Sequence, residues 1–198
     1  SSTYSINPGT IEIVCSGNMA GDSGDSGSDN FGITPDLRET SKKMNLNITS
    51  AGFTMIEDTY ASTNCSGLRI NSRTELGSMT LPGQDSVPDT FPVDVTSKDL
   101  SGIIFTDGGV LAANTYPDQH GCGVQGWVIN KRQALTKSRC FSEGKTEYMR
   151  LKVVPDKTLG DRLYLCDPQN GTSDYGKTAA TRIDSCVIDE KSTFFKRL

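Results

Sequence analysis

A single histidine, His120, and a single tryptophan, Trp127, occur in the 198 residues. One histidine leaves little room for a histidine-based metal site or for several catalytic histidines. No Cys-x-x-Cys pair occurs, which argues against a zinc ribbon or a thioredoxin-like redox centre. No Gly-x-Ser-x-Gly elbow is present. No apolar run approaches the ~20 residues that cross a bilayer as a helix. Ile103, Ile104 and Phe105 are interrupted at once by Thr106 and Asp107. Basic blocks are missing too. The net charge is −4 and the isoelectric point is near 5.0, the wrong balance for a nucleic-acid partner. The polar start, Ser1-Ser2-Thr3-Tyr4, carries no signal-peptide pattern and reads as a trimmed N-terminus.

What is present is alternation. Met44, Leu46 and Ile48 alternate with Asn45 and Asn47, the pattern of a half-buried strand. A turn at residues 49–52 leads to a second strand at Phe53, Thr54 and Met55, giving a hairpin. Residues 68–72 and 74–81 read as two further strands, and residues 91–96 and 100–105 as a short pair. Residues 148–153 and 162–165 alternate around turn signals at Pro155-Asp156 and Gly160-Asp161. Val128, Ile129 and Asn130 form a short strand in this reading, and residues 192–196 the last one. The only helical turn expected lies at residues 110–114. Many short strands separated by turns predict a mainly β fold, a closed barrel or a sandwich, as one domain spanning residues 1–198 with at most one short helix.

Residues 16–42, 82–90 and 167–182 are rich in turn residues. The first is the longest, an acidic Gly/Ser-rich surface loop, and residues 20–31 inside it read as flexible. It contains Gly21-Asp22-Ser23-Gly24. A catalytic role for Ser23 lacks support, because Gly, Ser and Asp dominate the run and His120 has no protease-like context. Asp22, Asp25 and Asp29 are hard-oxygen candidates for calcium, although their spacing misses the EF-hand pattern. His120 and Cys122 form a His-x-Cys pair with no further ligand in view. Glu57-Asp58 and Asp189-Glu190 are adjacent carboxylates. On a strand such neighbours face opposite ways and cannot act as a glycosidase pair. Sequons begin at Asn47, Asn64 and Asn170. The six cysteines, Cys15, Cys65, Cys122, Cys140, Cys166 and Cys186, are even in number and widely spaced, which points to disulfides and an oxidising compartment.

Three segments carry a resemblance. "TMIEDTYASTNCSG" (residues 54–67) sets a Tyr just before a Cys. "GCGVQGW" (121–127) joins Cys-Gly to a Trp segment. "DRLYLCD" (161–167) and "YGKTAATRIDSCVIDEKSTFFKR" (175–197) follow. In this order the chain resembles secreted bacterial lipocalin-like domains of adhesin-like type over residues 40–198. Three positions depart from that pattern. Cys166 stands where the family tends to have Gly, Arg182-Ile183 replaces Arg-Pro, and Cys186 replaces an apolar residue. The two extra cysteines suggest a local bridge, Cys166 to Cys186. Nearness then pairs Cys122 with Cys140 and Cys15 with Cys65, among the many pairings six cysteines allow.

The resemblance implies a single antiparallel β-barrel of lipocalin-like type with long loops. Phe105, Trp127 and Tyr164 are then the candidates for residues that point inward, to hold a ligand or to fill the barrel. The expected protein is secreted or at the cell surface and binds without catalysing. Its partner is a small apolar ligand in the barrel, or a cell-surface partner or glycan at the loops. No cofactor is expected beyond calcium. A calcium-dependent adhesion module using the acidic loop, or a secreted hydrolase with a dispersed site, are the alternatives.

Overall fold

The computed structural model describes residues 9–19, 30–37, 39–49, 52–83, 89–136, 138–141, 143–155, 157–158, 162–166, 176–183, 186, 188 and 194–197. For residues 9–19, 165 and 194–197 only the backbone is described. The strands are β1 (Gly9–Met19), β2 (Glu39–Thr49), β3 (Gly52–Tyr60), β4 (Arg69–Thr80), β5 (Thr90–Ile104), β6 (Gln133–Ala134), β7 (Thr146–Val154), β8 (Arg162–Leu165) and β9 (Phe194–Arg197). The chain is mainly β, and the described pairings are all antiparallel. The hydrogen-bonded order is β4-β3-β2-β1-β9-β8-β7-β5-β6, and β4 also pairs with β5.

The expected hairpin is β2–β3, in register from Ser41 opposite Tyr60 to Thr49 opposite Gly52. Gly52 has φ of 144°, and a Cβ there would lie 2.1 Å from the Gly77 carbonyl oxygen. Gly77 in turn lies beneath the Phe53 ring, 2.5 Å from where its own Cβ would be. Two glycines thus let β3 and β4 approach at this point.

Two expected breaks are absent. Residues 68–72 and 74–81 form one strand, β4, because both of its edges are paired, to β3 and to β5. Residues 91–96 and 100–105 likewise belong to one strand, β5. The polar run Ser97, Lys98 and Asp99 between them is a β-bulge: Leu76 faces Asp99 and the next residue, Gly77, faces Ser97. A bulge adds one residue and bends a strand without ending it. From Thr90 to Thr96, β5 pairs with β7, and further on Ser101 and Gly102 meet β6.

The helical turn expected at 110–114 is α1 (Asp107–Thr115). Its N-cap, Thr106, accepts the Gly109 N–H on its hydroxyl at 3.0 Å. A second helical segment, α2 (Pro117–His120), and a 3-10 turn (Ala179–Thr181) go beyond the single short helix expected. Pro117 starts α2 because its missing N–H is an orphan there in any case. Among the described residues no helix is long and apolar enough to cross a membrane. The strand expected at 128–130 is instead a turn. Asn130 adopts φ of 60°, and its N–H reaches the Ile104 carbonyl at 2.9 Å.

The long loop expected at 16–42 is shorter than read. β1 runs to Met19 and β2 starts at Glu39. Phe31, read as the end of a flexible loop, is 1% exposed. It packs with Leu100, Ile104, Ala113, Trp127 and Leu135. Its ring meets Trp127 edge-on at 5.0 Å between centroids. Gly102 makes the room: a Cβ there would lie 2.8 Å from the Phe31 ring and 3.1 Å from Leu135. The Asn71 side chain donates to the Phe31 carbonyl at 2.5 Å and satisfies the buried backbone.

Disulfides join Cys122 to Cys140 and Cys166 to Cys186, with Cα atoms 5.4 Å and 4.8 Å apart. Both were expected, Cys166–Cys186 from the two departures from the family pattern and Cys122–Cys140 from nearness. Cys65 is also disulfide-bonded, and the side chain of its expected partner, Cys15, lies outside the described residues. The bridges fit an oxidising environment.

Phe31→Ala is expected to cost about 3–5 kcal/mol of stability in urea unfolding. Leu111→Ala, at a helix position that is 68% exposed, should stay within about 0.5 kcal/mol of wild type. Equal costs for the two would remove Phe31 from the core.

Candidate functional site

Register sorts the strand residues onto two faces. Leu46 is opposite Met55, Met55 opposite Glu75, and Glu75 opposite Leu100. Ile48, Phe53 and Gly77 form the next rung. Farther along, Val93 is opposite Met149, Phe91 opposite Leu151, and Val153 opposite Leu163. This first face is apolar across β2, β3, β5, β7 and β8. Ile48, Phe53, Val93, Leu100 and Val153 are buried, while Met44, Leu46, Met55, Phe91, Val95 and Leu151 are only half-buried. The second face carries Lys43, Asn45 and Asn47 on β2, Thr74 on β4, Asp94 and Thr96 on β5, and Arg150 and Lys152 on β7.

Charge sits inside the apolar face. Met44 is opposite Glu57, Glu57 opposite Arg73, and Arg73 opposite Gly102. Arg73 donates from Nη2 to Glu57 Oε1 at 2.5 Å. Lys42, one rung diagonal, brings Nζ to 3.7 Å from the same oxygen. The three side chains are mostly covered, at 19% exposure for Lys42, 15% for Glu57 and 17% for Arg73. Burial pushes the Glu57 carboxyl up. Arg73 and then Lys42 outweigh it, and the net shift is below the ordinary 4.5. One rung on, the Ser97 hydroxyl donates to Glu75 Oε1. Such a cluster can hold an ionic or strongly polar group against an apolar surface.

The second face is organised differently. Asp58, the neighbour of Glu57, points there and lies 3.5 Å from Arg69 Nη1. The two adjacent carboxylates do face opposite ways, as read from the strand pattern. Arg69 also covers the Phe105 ring, at 4.2 Å to the centroid. Arg182 crosses this face farther along. It donates to the Val93 carbonyl at 3.0 Å, the Met149 carbonyl at 2.7 Å and Asp94 Oδ1 at 2.6 Å.

The three aromatic candidates do not meet in one place. Trp127 is buried in the Phe31 cluster, which covers the Leu100, Gly102 and Ile104 end of the first face. Asn114 brackets it: its amide donates to the Trp127 carbonyl at 3.0 Å, and its Oδ1 accepts the Trp127 N–H at 2.8 Å. Phe105 lies under Arg69. Tyr164 is buried on β8 opposite Lys152 and Phe194, on the second face. Asp22, Asp25 and Asp29 lie outside the described residues, as do Ser23, Asp189, Glu190 and Asn170. Among the described residues no three His, Cys, Asp or Glu side chains converge as a metal site. His120 is half-buried, and its Nδ1 donates to the Asn30 carbonyl at 3.2 Å. With Cys122 oxidised, the His-x-Cys pair offers no thiolate.

Lys42 and Arg73 were missed in the sequence, and Glu57 was weighed only as one of two adjacent carboxylates, not as their partner. The signal was available: Lys42 continues the phase of Met44, Leu46 and Ile48, and Glu57 that of Phe53 and Met55. A charge in phase with an apolar row is a buried charge, and a buried charge needs a partner.

Because its folded pKa is lowered, Glu57 contributes stability that is fully present above the unfolded value of 4.5. That contribution is lost as the pH falls through the lower folded value. The stability gap between wild type and Glu57→Gln should be widest at neutral pH and should narrow below pH 4.5. Chemical denaturation across the acid range measures it, and a gap independent of pH contradicts the ion-pair account. No protein-family model matches the chain, and no curated protein is significantly similar to it.

Proposed function

We propose that the chain is an extracytoplasmic binding protein, a lipocalin-like β-barrel that takes a small apolar molecule against its first face and does no chemistry on it. The observation that carries this reading is the apolar row across five strands, half-buried at Met44, Leu46, Met55, Phe91, Val95 and Leu151. A sheet face left this apolar and still open to water gains from covering by an apolar ligand, at roughly 25 cal/mol per Å² removed from water. Two pairings support the barrel. β4 pairs with β5 as well as β3, and β1 pairs with β9 as well as β2, so the order that starts at β1 has a route back to it. An eight-stranded barrel has an interior of the size that holds one small ligand. The disulfides support an oxidising, extracytoplasmic setting.

Ligand capture in the barrel is preferred to adhesion through the loops because the apolar excess lies on the strands. A neutral apolar fluorophore, N-phenyl-1-naphthylamine, tests the reading. It should brighten on binding, and Leu46→Glu should weaken it at least about tenfold, since the new charge enters the apolar row. Asn45→Glu, one residue away on the second face, should leave binding unchanged. If both substitutions act alike, or if the dye does not bind wild type at all, the reading fails.

A further inference from the structure

We infer that Asn47 is an acceptor for an N-linked glycan, and that this glycan lies over the second face of β2, β3 and β4. The inference rests on the extracytoplasmic part of the reading above and not on its ligand. The sequon Asn47-Ile48-Thr49 lies on β2, where alternate residues face opposite ways. Ile48 is buried on the first face, opposite Phe53. Asn47 and Thr49, the two residues whose chemistry the motif needs, are on the second face, and both are exposed. Among the described residues the Asn47 side chain makes no hydrogen bond or ion pair. Its amide therefore loses no partner on modification.

Space and compartment favour the reaction. The β3 residue opposite Asn47 is the small Thr54, and the hairpin closes two residues on, where Thr49 faces Gly52. The segment that crosses the second face is bonded to β5 and β7 through Arg182 and Arg150, not to β2. The disulfides mark an oxidising compartment, the setting in which secreted chains meet the transferase. The donor is an oligosaccharide on a lipid pyrophosphate. Asn47 Nδ2 attacks the anomeric carbon and a C–N bond forms. The C–O bond to the pyrophosphate breaks, the lipid pyrophosphate leaves with the electron pair, and Nδ2 loses one proton. Two apolar side chains give the glycan a surface to cover. Leu76, opposite Thr54, is on the same rung as Asn47 and is 41% exposed. Ile56, half-buried, is one rung on, opposite Asn45. Two strand spacings, about 10 Å, separate Asn47 from Leu76, and a bulky, solubilising glycan spans that distance.

For the test, a cleavable signal leads the full chain into a eukaryotic secretory pathway, and the protein is collected from the medium. Peptide N-glycosidase in heavy-oxygen water then leaves an isotopic tag wherever a glycan stood. Peptide mass spectrometry separates position 47 from the sequons at Asn64 and Asn170. The tag should appear at position 47. Thr49→Ala should abolish it there although Asn47 is still present, and Thr49→Ser should restore it. Hydroxyl-radical footprinting reads the cover. Oxidation of Leu76 should rise once the glycan is removed, while that of Leu111, exposed on α1, should not change. Asn47 recovered unmodified from secreted wild type, or a tag at position 47 that survives Thr49→Ala, overturns the acceptor. Oxidation of Leu76 that ignores the glycan overturns the covering. Dye binding at the first face is measured separately on the same protein, so failure of the ligand reading and failure of this one are distinguishable.

Discussion

Side chains on a strand alternate between two faces, so the pairing register of β2 through β5 decides what the rest of the molecule can be. With Leu46 opposite Met55 and Glu75 opposite Leu100, apolar residues collect on one side. A slip of one residue would carry Asn45 and Asn47 to that side and Leu46 and Ile48 to the other. Several local features oppose such a slip. Gly52 and Gly77 permit a close approach that a Cβ at either position would block. The bulge at Ser97, Lys98 and Asp99 fixes where β5 shifts against β4. Gly102 receives Phe31 and Leu135, and a residue with a side chain in its place would strike both.

The ion cluster belongs to the same argument. A mostly covered charge trio is a weak source of net stability, because removing charges from water offsets much of their attraction. Its effect on alternatives is larger. In any shifted pairing Glu57 loses Arg73 as its cross-strand neighbour, and an unpaired carboxylate on an apolar face is costly. The trio therefore penalises wrong registers more than it rewards the right one. The chemistry that could receive a polar group and the feature that specifies the sheet use the same atoms.

Much of this was legible in the residues, and the failures have physical causes. The Met44, Leu46, Ile48 alternation located β2 and its hairpin, and residues 162–165 matched β8 because the strand there has the simple period of two. Breaks were misplaced at residue 73 and at 97–99 because polar residues within a strand look like turns when only local pattern is read. Pairing on both edges holds them in the ladder. Phe31 was hidden by its neighbours: surrounded by Gly, Ser, Asp and Asn, it reads as loop, yet the only requirement for burial is a receiving gap, which Gly102 supplies from a distant part of the sequence. Arg73 was passed over for a related reason. Its partners lie on other strands, and no spacing along β4 reveals that Glu57 stands opposite.

The second face explains how the first can remain open. Sheets are normally covered on at least one side, and here the cover lies over β5 and β7. Arg182 reaches into this face to bond two strand carbonyls, Val93 and Met149, and the Asp94 carboxylate. Arg150 donates to the Ile183 carbonyl, and the Cys166–Cys186 bridge holds the two ends of this segment together. Carbonyls on adjacent strands that share one guanidinium are drawn together from outside the sheet. Stability supplied on the second face relieves the first of that duty. The strands then hold their course without a fully packed first face, and Met44, Leu46 and Met55 keep some surface exposed to water. The division matters because a face that is already packed has nothing left to gain from further covering, whereas a half-buried apolar face does.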